Sequence, residues 1–412
     1  MYKKVFNRVD KLIYLFLYVS LLIDIISGAI SFFLDSSFSI GQFIKIAILF
    51  ILLLRLFFKK ENAVIFVFLS IYFLFIFGKT CFNFFTYYNP SILTDIFYSI
   101  KPLFLTLFYF WLKEQKRNSF INNTMIDKLI TFNIYVVIIN QVIGIMGFGY
   151  YSYSFGSDAT LGTTGFFFSG NEYAILLLML FSLKLFFIFK NKNFKLYLLW
   201  LLILLTLAIT TAIKTVIVGT FLVAILIPTS LKIGNLFKLT VTIFIGFIVY
   251  LTQISTLNLN FVLIERLLWI YDNKGLVSLL ISGRDDFLIK GLDLFINKYS
   301  TIEQLIGIGY FRLNEIAVHP EMDFFDVLFM FGFIGLIIVY VPFLVIVISK
   351  IKPLKRSSNF RYVTLLSILI ALISFFVGHL MFSVAAAPFI ALILTLNYKI
   401  NENIINIEHV SR

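Results

Sequence analysis

Apolar residues in this chain come in long unbroken runs separated by short polar intervals. A hydrocarbon core about 30 Å thick needs about 20 residues of helix to cross it, and runs of roughly that length recur from end to end. Twelve are readable, at residues 12–34, 40–58, 63–78, 92–112, 126–147, 164–189, 196–211, 213–231, 239–255, 324–348, 362–379 and 382–397. The pattern predicts an all-α polytopic membrane protein of about twelve transmembrane helices, with residues 1–412 forming a single integral membrane domain. One interval departs from it. Residues 256–323 belong to no span and form a large loop, and a loop of such length in a compact protein is usually functional or disordered. Its Leu, Ile and Phe content argues against disorder. Within it Phe287, Leu288, Gly291, Leu292, Phe295 and Tyr299 recur at helical spacing, which predicts an amphipathic helix lying on the outer membrane surface.

Composition strengthens the membrane reading. The chain is 60% hydrophobic and only 13% charged, against roughly 45–50% apolar residues in soluble domains. The net charge of +13 is an orientation signal. Lys3, Lys4, Arg8 and Lys11, then Lys59 and Lys60, then Lys113, Lys116 and Arg117, and later Lys190, Lys192, Lys195, Lys232, Lys238 and Lys350 all fall on one side of the twelve-span map. Cytoplasmic loops are enriched in Lys and Arg. Both termini are therefore expected in the cytoplasm and residues 256–323 outside it. Charge dispersed over separate short loops argues against a nucleic-acid partner. The first apolar run is longer than a signal h-region, so it is expected to remain as a span. Cys81 is the single cysteine, which excludes an intramolecular disulfide and a cysteine-based zinc cluster.

The polar residues that remain are concentrated. In SGRDDF, residues 282–287, Ser282 followed by Asp285 has the form of a capping box, and Asp286 also favours the first turn of a helix. Arg284 does not, because a cation there opposes the helix dipole. It is either half of an exposed ion pair or, beside free helix N–H groups, part of a diphosphate site. In VHPEMDFFD, residues 318–326, Pro320, Glu321, Asp323 and Asp326 suit a helix start. His319, Glu321 or Asp323 also has the chemistry of a general base. Lys214, in TTAIKT, is costly near a membrane unless paired, functional or snorkelling. Asn171 and Glu172 in GFFFSGNEYA either bind something polar or pair with a cation such as Lys214. Asp24, Lys45, Lys79 and Lys101 stand apart and read as surface or packing features.

The segments GFFFSGNEYA, TTAIKT, SGRDDFLIKGLDLF followed by GIGYF, HPEMDFFD and FGFIG occur in that order around one large loop. In this the chain resembles the Wzy-type polysaccharide polymerases and the related O-antigen ligases of bacterial envelopes, most strongly in its second half. The resemblance implies an enzyme of the bacterial cytoplasmic (inner) membrane. Its substrate would be an undecaprenyl-diphosphate-linked oligosaccharide, with no nucleotide sugar and no cofactor, and membrane lipid as its surroundings. A chain-length regulator and a flippase are the partners it implies. Arg284 corresponds to the arginine of the family's SGR segment, and Lys214 stands where many relatives carry an arginine. Ligases often place His followed by Asn eleven residues before the GxxG glycine. Counting back from Gly332 gives Glu321 and Met322, with His319 displaced by two, which favours a polymerase making O-antigen or capsule.

The chemistry implied is attack of an acceptor sugar hydroxyl on the donor's anomeric carbon, with lipid diphosphate leaving. Cations stabilise that leaving group, a role expected of Arg284 with Lys214, Arg312 and Arg266 in support. Asn171 and Glu172 are expected to bind substrate, and no ligand constellation calls for a metal. Two alternatives remain. A ligase would transfer a finished glycan to another acceptor. A lipid-linked oligosaccharide flippase or ion-coupled transporter also has about twelve spans, but such proteins tend to place polar groups at the membrane midplane.

Overall fold

The computed structural model describes residues 2–34, 39–57, 63–87, 92–118, 120–155, 159–230, 271–275, 278, 284–351 and 358–396. Five long helices come first: α1 (Tyr2–Leu34), α2 (Ile40–Phe57), α3 (Ala63–Tyr87), α4 (Ile92–Arg117) and α5 (Asn123–Ile145). Next is an antiparallel hairpin of β1 (Tyr150–Phe155) and β2 (Ala159–Gly165), then α6 (Gly170–Lys190), α7 (Phe194–Thr211) and α8 (Lys214–Ser230). Among the described residues nine helices are long and apolar enough to cross a membrane, and Lys214–Ser230 is a shorter apolar helix. The chain is a multi-pass membrane protein. The expected span at residues 239–255, Arg266 and Ser282 lie outside the described residues.

Local sequence explains most boundaries. Asn122, Ser169 and Asn193 each turn a side-chain oxygen to the backbone N–H three residues on, satisfying donors that a helix start leaves bare. Ala212, with φ +54°, ends α7 in the left-handed region, which sets the break in TTAIKT. The hairpin is a small addition to an otherwise helical fold, and it moves the start of the sixth span from residue 164 to Gly170. It is held by α5. Asn140 Nδ2 donates to the Thr164 carbonyl at 2.8 Å, Asn140 Oδ1 accepts from Phe166 N at 2.9 Å, and Gln141 Nε2 donates to the Thr163 carbonyl at 3.1 Å. Two adjacent amides thus replace the backbone partners that a helix would have supplied.

Helix α6 is the axis of the bundle, and nearly all its side chains from Tyr173 to Phe189 are buried. Helices α5, α7 and α8 pack against it. At the end bearing the termini of α1, α2 and α4, Asp10 accepts from Arg55 at 3.0 and 3.1 Å and from Trp111 Nε1 at 2.9 Å, while Arg55 also reaches Glu114 at 2.8 Å. Buried charges in a membrane protein persist when paired in this way.

The second half is more broken. It holds α9 (Arg284–Asn297), α10 (Thr301–Ile306), α11 (Gly309–Glu315) and α12 (Asp323–Gly335). Helix α12 runs through a π turn at Leu336–Tyr340 into α13 (Val341–Ile348), and α14 (Ser358–Phe376) and α15 (Ala387–Thr395) complete it. The expected periodicity is visible in α9, which buries Gly291 and Phe295 and packs Phe295 on Phe329 and Phe333 of α12. Two glycines explain the GIGYF and FGFIG segments. Gly307 (φ +75°) lies against the backbone of Met330, and Gly332 (φ +65°) against that of Leu305. Side chains at these positions would meet main-chain atoms, and the backbone angles themselves disfavour any residue but glycine.

The last apolar run is not two full spans. After α14 the chain leaves the helix at Val377 and resumes it only at Ala387, so α15 has 9 residues. At 1.5 Å per residue that is too short to cross alone. The intervening segment is buried, with Leu380, Met381, Phe382 and Ser383 within the protein. Irregular backbone at such a depth is tolerated when protein covers it. Here Asp323 accepts from Leu380 N at 3.1 Å and Met381 N at 3.0 Å.

Candidate functional site

Two cavities open at the end of the bundle that carries the hairpin and helices α9–α11. The first has a volume of about 700 Å³ and lies between α6, α8, α9 and α14. Its polar lining is Asn171, Lys214, Arg284, His319, Glu321 and His379, while Leu178, Val218, Leu222, Leu369 and Ile373 continue it downward as an apolar cleft. The second, about 960 Å³, lies between α1, α2, α4, α6 and α11 and is lined by Asp24, Lys45, Tyr98, Lys101, Glu172 and Asp326 among others. The two share Ser169, His319, Glu321 and His379. These four residues are a partition with a chamber on each side.

Glu321 is the hub of the partition. Its Oε2 accepts from Arg284 Nη2 at 3.0 Å and from Asn171 Nδ2 at 3.0 Å, and His379 Nε2 stands 3.7 Å away. Arg284 also donates Nη1 to the Val377 carbonyl, so one guanidinium ties α9 to both loops. The backbone supports this contact at some cost. Glu321 (φ +54°) and His379 (φ +59°) are both left-handed, as is Gly378 (φ +70°), whose α-carbon faces the Glu321 backbone. Non-glycine residues in that region are strained by roughly 1–3 kcal/mol each and cluster at functional sites. Burial alone would raise the Glu321 carboxyl, but His379 and Arg284 outweigh it and bring it down to about 2. Burial pushes the His319 imidazole down to about 4, against the pull of Glu321. At neutral pH Glu321 is therefore an anion and His319 a neutral imidazole. The His319 Nε2 is buried with no hydrogen-bond partner among the described residues.

The second chamber is organised by pairs. Asp24 and Lys45 meet at 2.6 Å, and Lys101 lies 3.9 Å from Glu172 and 4.0 Å from the centre of the Tyr98 ring. Tyr98 stacks on Tyr310, which in turn stands 5.1 Å from the His319 ring. Consecutive helical residues point about 100° apart. Asn171 and Glu172, side by side at the start of α6, accordingly serve different chambers.

The expected residues separate into groups. Arg284, Lys214, Asn171, His319 and Glu321 come together in the first chamber, and Glu172 lines the second. Asp323 lines neither and is fully buried, its carboxylate bonded to Leu380 and Met381. Arg312 also lines neither; it pairs with Glu315 at 2.8 Å and lies over the Tyr87 ring. Asp285 accepts from Ser278 and Asp286 from Lys274. Neither Asn171 nor Glu172 has Lys214 as its ion-pair or hydrogen-bond partner in the contacts seen, since they bond Glu321 and Lys101.

Part of the sequence that builds this site matches a known family model. Residues 265–402 match the family model of the O-antigen ligase like membrane proteins. The match spans about a third of the chain and holds Arg284, His319, Glu321 and His379, while Lys214, Asn171 and the whole of α1–α8 lie outside it. No curated protein and no solved structure matches the chain. The match favours polysaccharide assembly, does not separate polymerase from ligase, and lends no support to a flippase.

Sequence reasoning missed His379 and Asp326 as site residues and treated Asp24, Lys45 and Lys101 as isolated. A signal for His379 was present. Gly378 and His379 interrupt an otherwise continuous apolar run, and a polar break inside a span is costly unless it serves something. Asp24 and Lys45 carry a comparable signal, each a charge inside an expected span, but their pairing depends on how α1 and α2 meet.

Proposed function

We propose that this protein is a polymerase that joins undecaprenyl-diphosphate-linked repeat units into a surface polysaccharide at the outer face of the bacterial cytoplasmic membrane. The observation that carries the reading is Arg284, fixed by Glu321 and Val377 at the junction of two chambers, facing the same space as Lys214. That chamber has the two features a lipid diphosphate needs, a cationic head and an apolar cleft below it.

The reaction follows from the charges. The acceptor hydroxyl oxygen forms a bond to the anomeric carbon, the bond from that carbon to the diphosphate oxygen breaks, and the diphosphate leaves with the electron pair. Arg284 and Lys214 stabilise the negative charge as it develops. The hydroxyl proton passes to His319, whose neutral, unpartnered Nε2 lies on the partition. Glu321 is a poor base because it remains ionised at about pH 2 and above. Its work is to hold Arg284 and Asn171. Asp323 fixes the 377–386 segment rather than touching substrate. Two chambers meeting at one partition supply the orientation that makes attack efficient.

A ligase is the second reading, favoured by the wording of the family match. It uses the same donor chemistry and a different acceptor. Purified protein supplied with one defined lipid-linked repeat unit distinguishes the two: a polymerase yields a ladder of lengthened lipid-linked products, whereas a ligase yields none until its own acceptor is added. In cells, deletion should leave single repeat units on the surface, and long polymer in that strain would sink the proposal.

A further inference from the structure

The second chamber is the larger cavity, yet the donor chemistry makes no use of it beyond the shared partition. Its charge pattern differs from the first. Lys45 and Lys101 each have a carboxylate beside them, at 2.6 and 3.9 Å, and Asp326 adds another carboxyl to the lining. Asp326 is only 5% exposed, and its Oδ1 has no hydrogen-bond partner among the described residues. A buried acceptor left without a donor is costly, which points to a ligand hydroxyl as the missing partner. The aromatic wall has a direction. Tyr98 stacks on Tyr310 at 3.3 Å between centroids, and Tyr310 leads on to His319 at 5.1 Å.

We infer that this chamber is the acceptor site and that it takes uncharged terminal sugars, held against the Tyr98–Tyr310 wall and between the Asp24–Lys45 and Glu172–Lys101 pairs. The inference rests on the glycosyl-transfer reading above. A sugar ring has an apolar C–H face that lies on an aromatic ring, and an edge of hydroxyls that donate and accept. Paired ammonium and carboxylate groups supply both hydrogen-bond functions at little net charge. A phosphate or carboxylate on the same sugar would find Lys45 and Lys101 already matched by Asp24 and Glu172 and would meet the Glu321 carboxylate on the same lining, where like charges are repelled. A sugar on this wall directs its end toward His319, the base at the partition. The lining therefore sets which glycan is extended, independently of the lipid carrier.

The test uses the purified full-length protein in lipid nanodiscs, with the source strain's lipid-linked repeat unit as donor and the oligosaccharide released from it by mild acid as acceptor. In Tyr310→Ala and Lys101→Met the acceptor KM should rise on the order of tenfold, with the donor KM staying within about twofold of wild type. Tyr310→Phe keeps the ring and should behave as wild type, which separates loss of the wall from misfolding. An oligosaccharide bearing a terminal phosphate should be a poor acceptor. If wild type makes no product at all, the glycosyl-transfer reading falls and this one with it. If wild type works but the variants raise the donor KM instead, or if charged and neutral acceptors serve equally, only the acceptor assignment is overturned.

Discussion

The two chambers share a wall, but they handle charge differently. In the first, Lys214 and Arg284 face the same space with Glu321 as the one carboxylate in the described lining. In the second, Lys45 and Lys101 are each set beside an acid. Like charges gathered in a partly dry site repel strongly, so a fold that collects cations there is arranged for a ligand that brings negative charge. Charges that are already matched repel nothing, and they favour a ligand recognised by hydroxyls. The comparison teaches that a count of basic residues does not locate a phosphate site. What matters is which acids line the same cavity.

The largest break in this contrast should come from Arg284. Arg284→Ala is expected to lower the transfer rate by about 10²- to 10³-fold, the range for losing one preorganised charge donor, with the amount of protein in the membrane unchanged. A normal polymer ladder from this variant would remove the first chamber from the chemistry. His319→Gln tests the partition, where general-base catalysis contributes typically 10²- to 10⁴-fold; a loss smaller than about tenfold would exclude His319 as the base.

The pH profile sharpens the same point. Burial lowers the His319 imidazole to about 4, so its basic form persists below the usual histidine range and is lost as pH falls through about 4. The acid limb of kcat/KM, which reports the free enzyme, should accordingly lie near pH 4 in wild type. A limb near the ordinary histidine value of roughly 6.5 would mean that another group carries the proton.

Smaller effects follow outside the chambers. Asp323→Ala leaves the Leu380 and Met381 N–H groups without their acceptor, at about 1–3 kcal/mol for each buried group, and should lower the melting temperature more than the activity per folded molecule. The smallest effect belongs to Arg312→Ala, which removes an exposed pair worth about 0.2–1 kcal/mol. Both chambers should be indifferent to it, with donor and acceptor KM unchanged.

Much of the bundle was legible in the sequence, because a membrane span is written in one dimension as a run of apolar residues. The break in TTAIKT and the helix of α9 were readable for the same reason. The hairpin was not, since Asn140 and Gln141, which hold it, sit inside a span more than twenty residues away in sequence. The short α15 was hidden because a buried irregular segment is as apolar as a helix. In the site, Arg284 stood out through a local conflict with the helix dipole, and Glu321 and His319 through their crowding before a span. Asp24, Lys45 and Lys101 each put a charge inside a span, a conflict that names no partner. Their meaning arises only when α1, α2, α4 and α6 converge, and Asp323 looked catalytic because a buried loop's need for an acceptor cannot be read from spacing.

The hairpin also fixes the rotational phase of α6. Gly165 is clamped at Asn140, and only four residues later Ser169 caps the helix. Which of Asn171 and Glu172 faces which chamber depends on this distance. One residue added or removed between 165 and 169 would turn the helix start by about 100° and change which of these side chains faces the first chamber. Length, more than identity, is what this short stretch must preserve, and an engineer seeking a new acceptor would do better to change side chains across it than to alter its count.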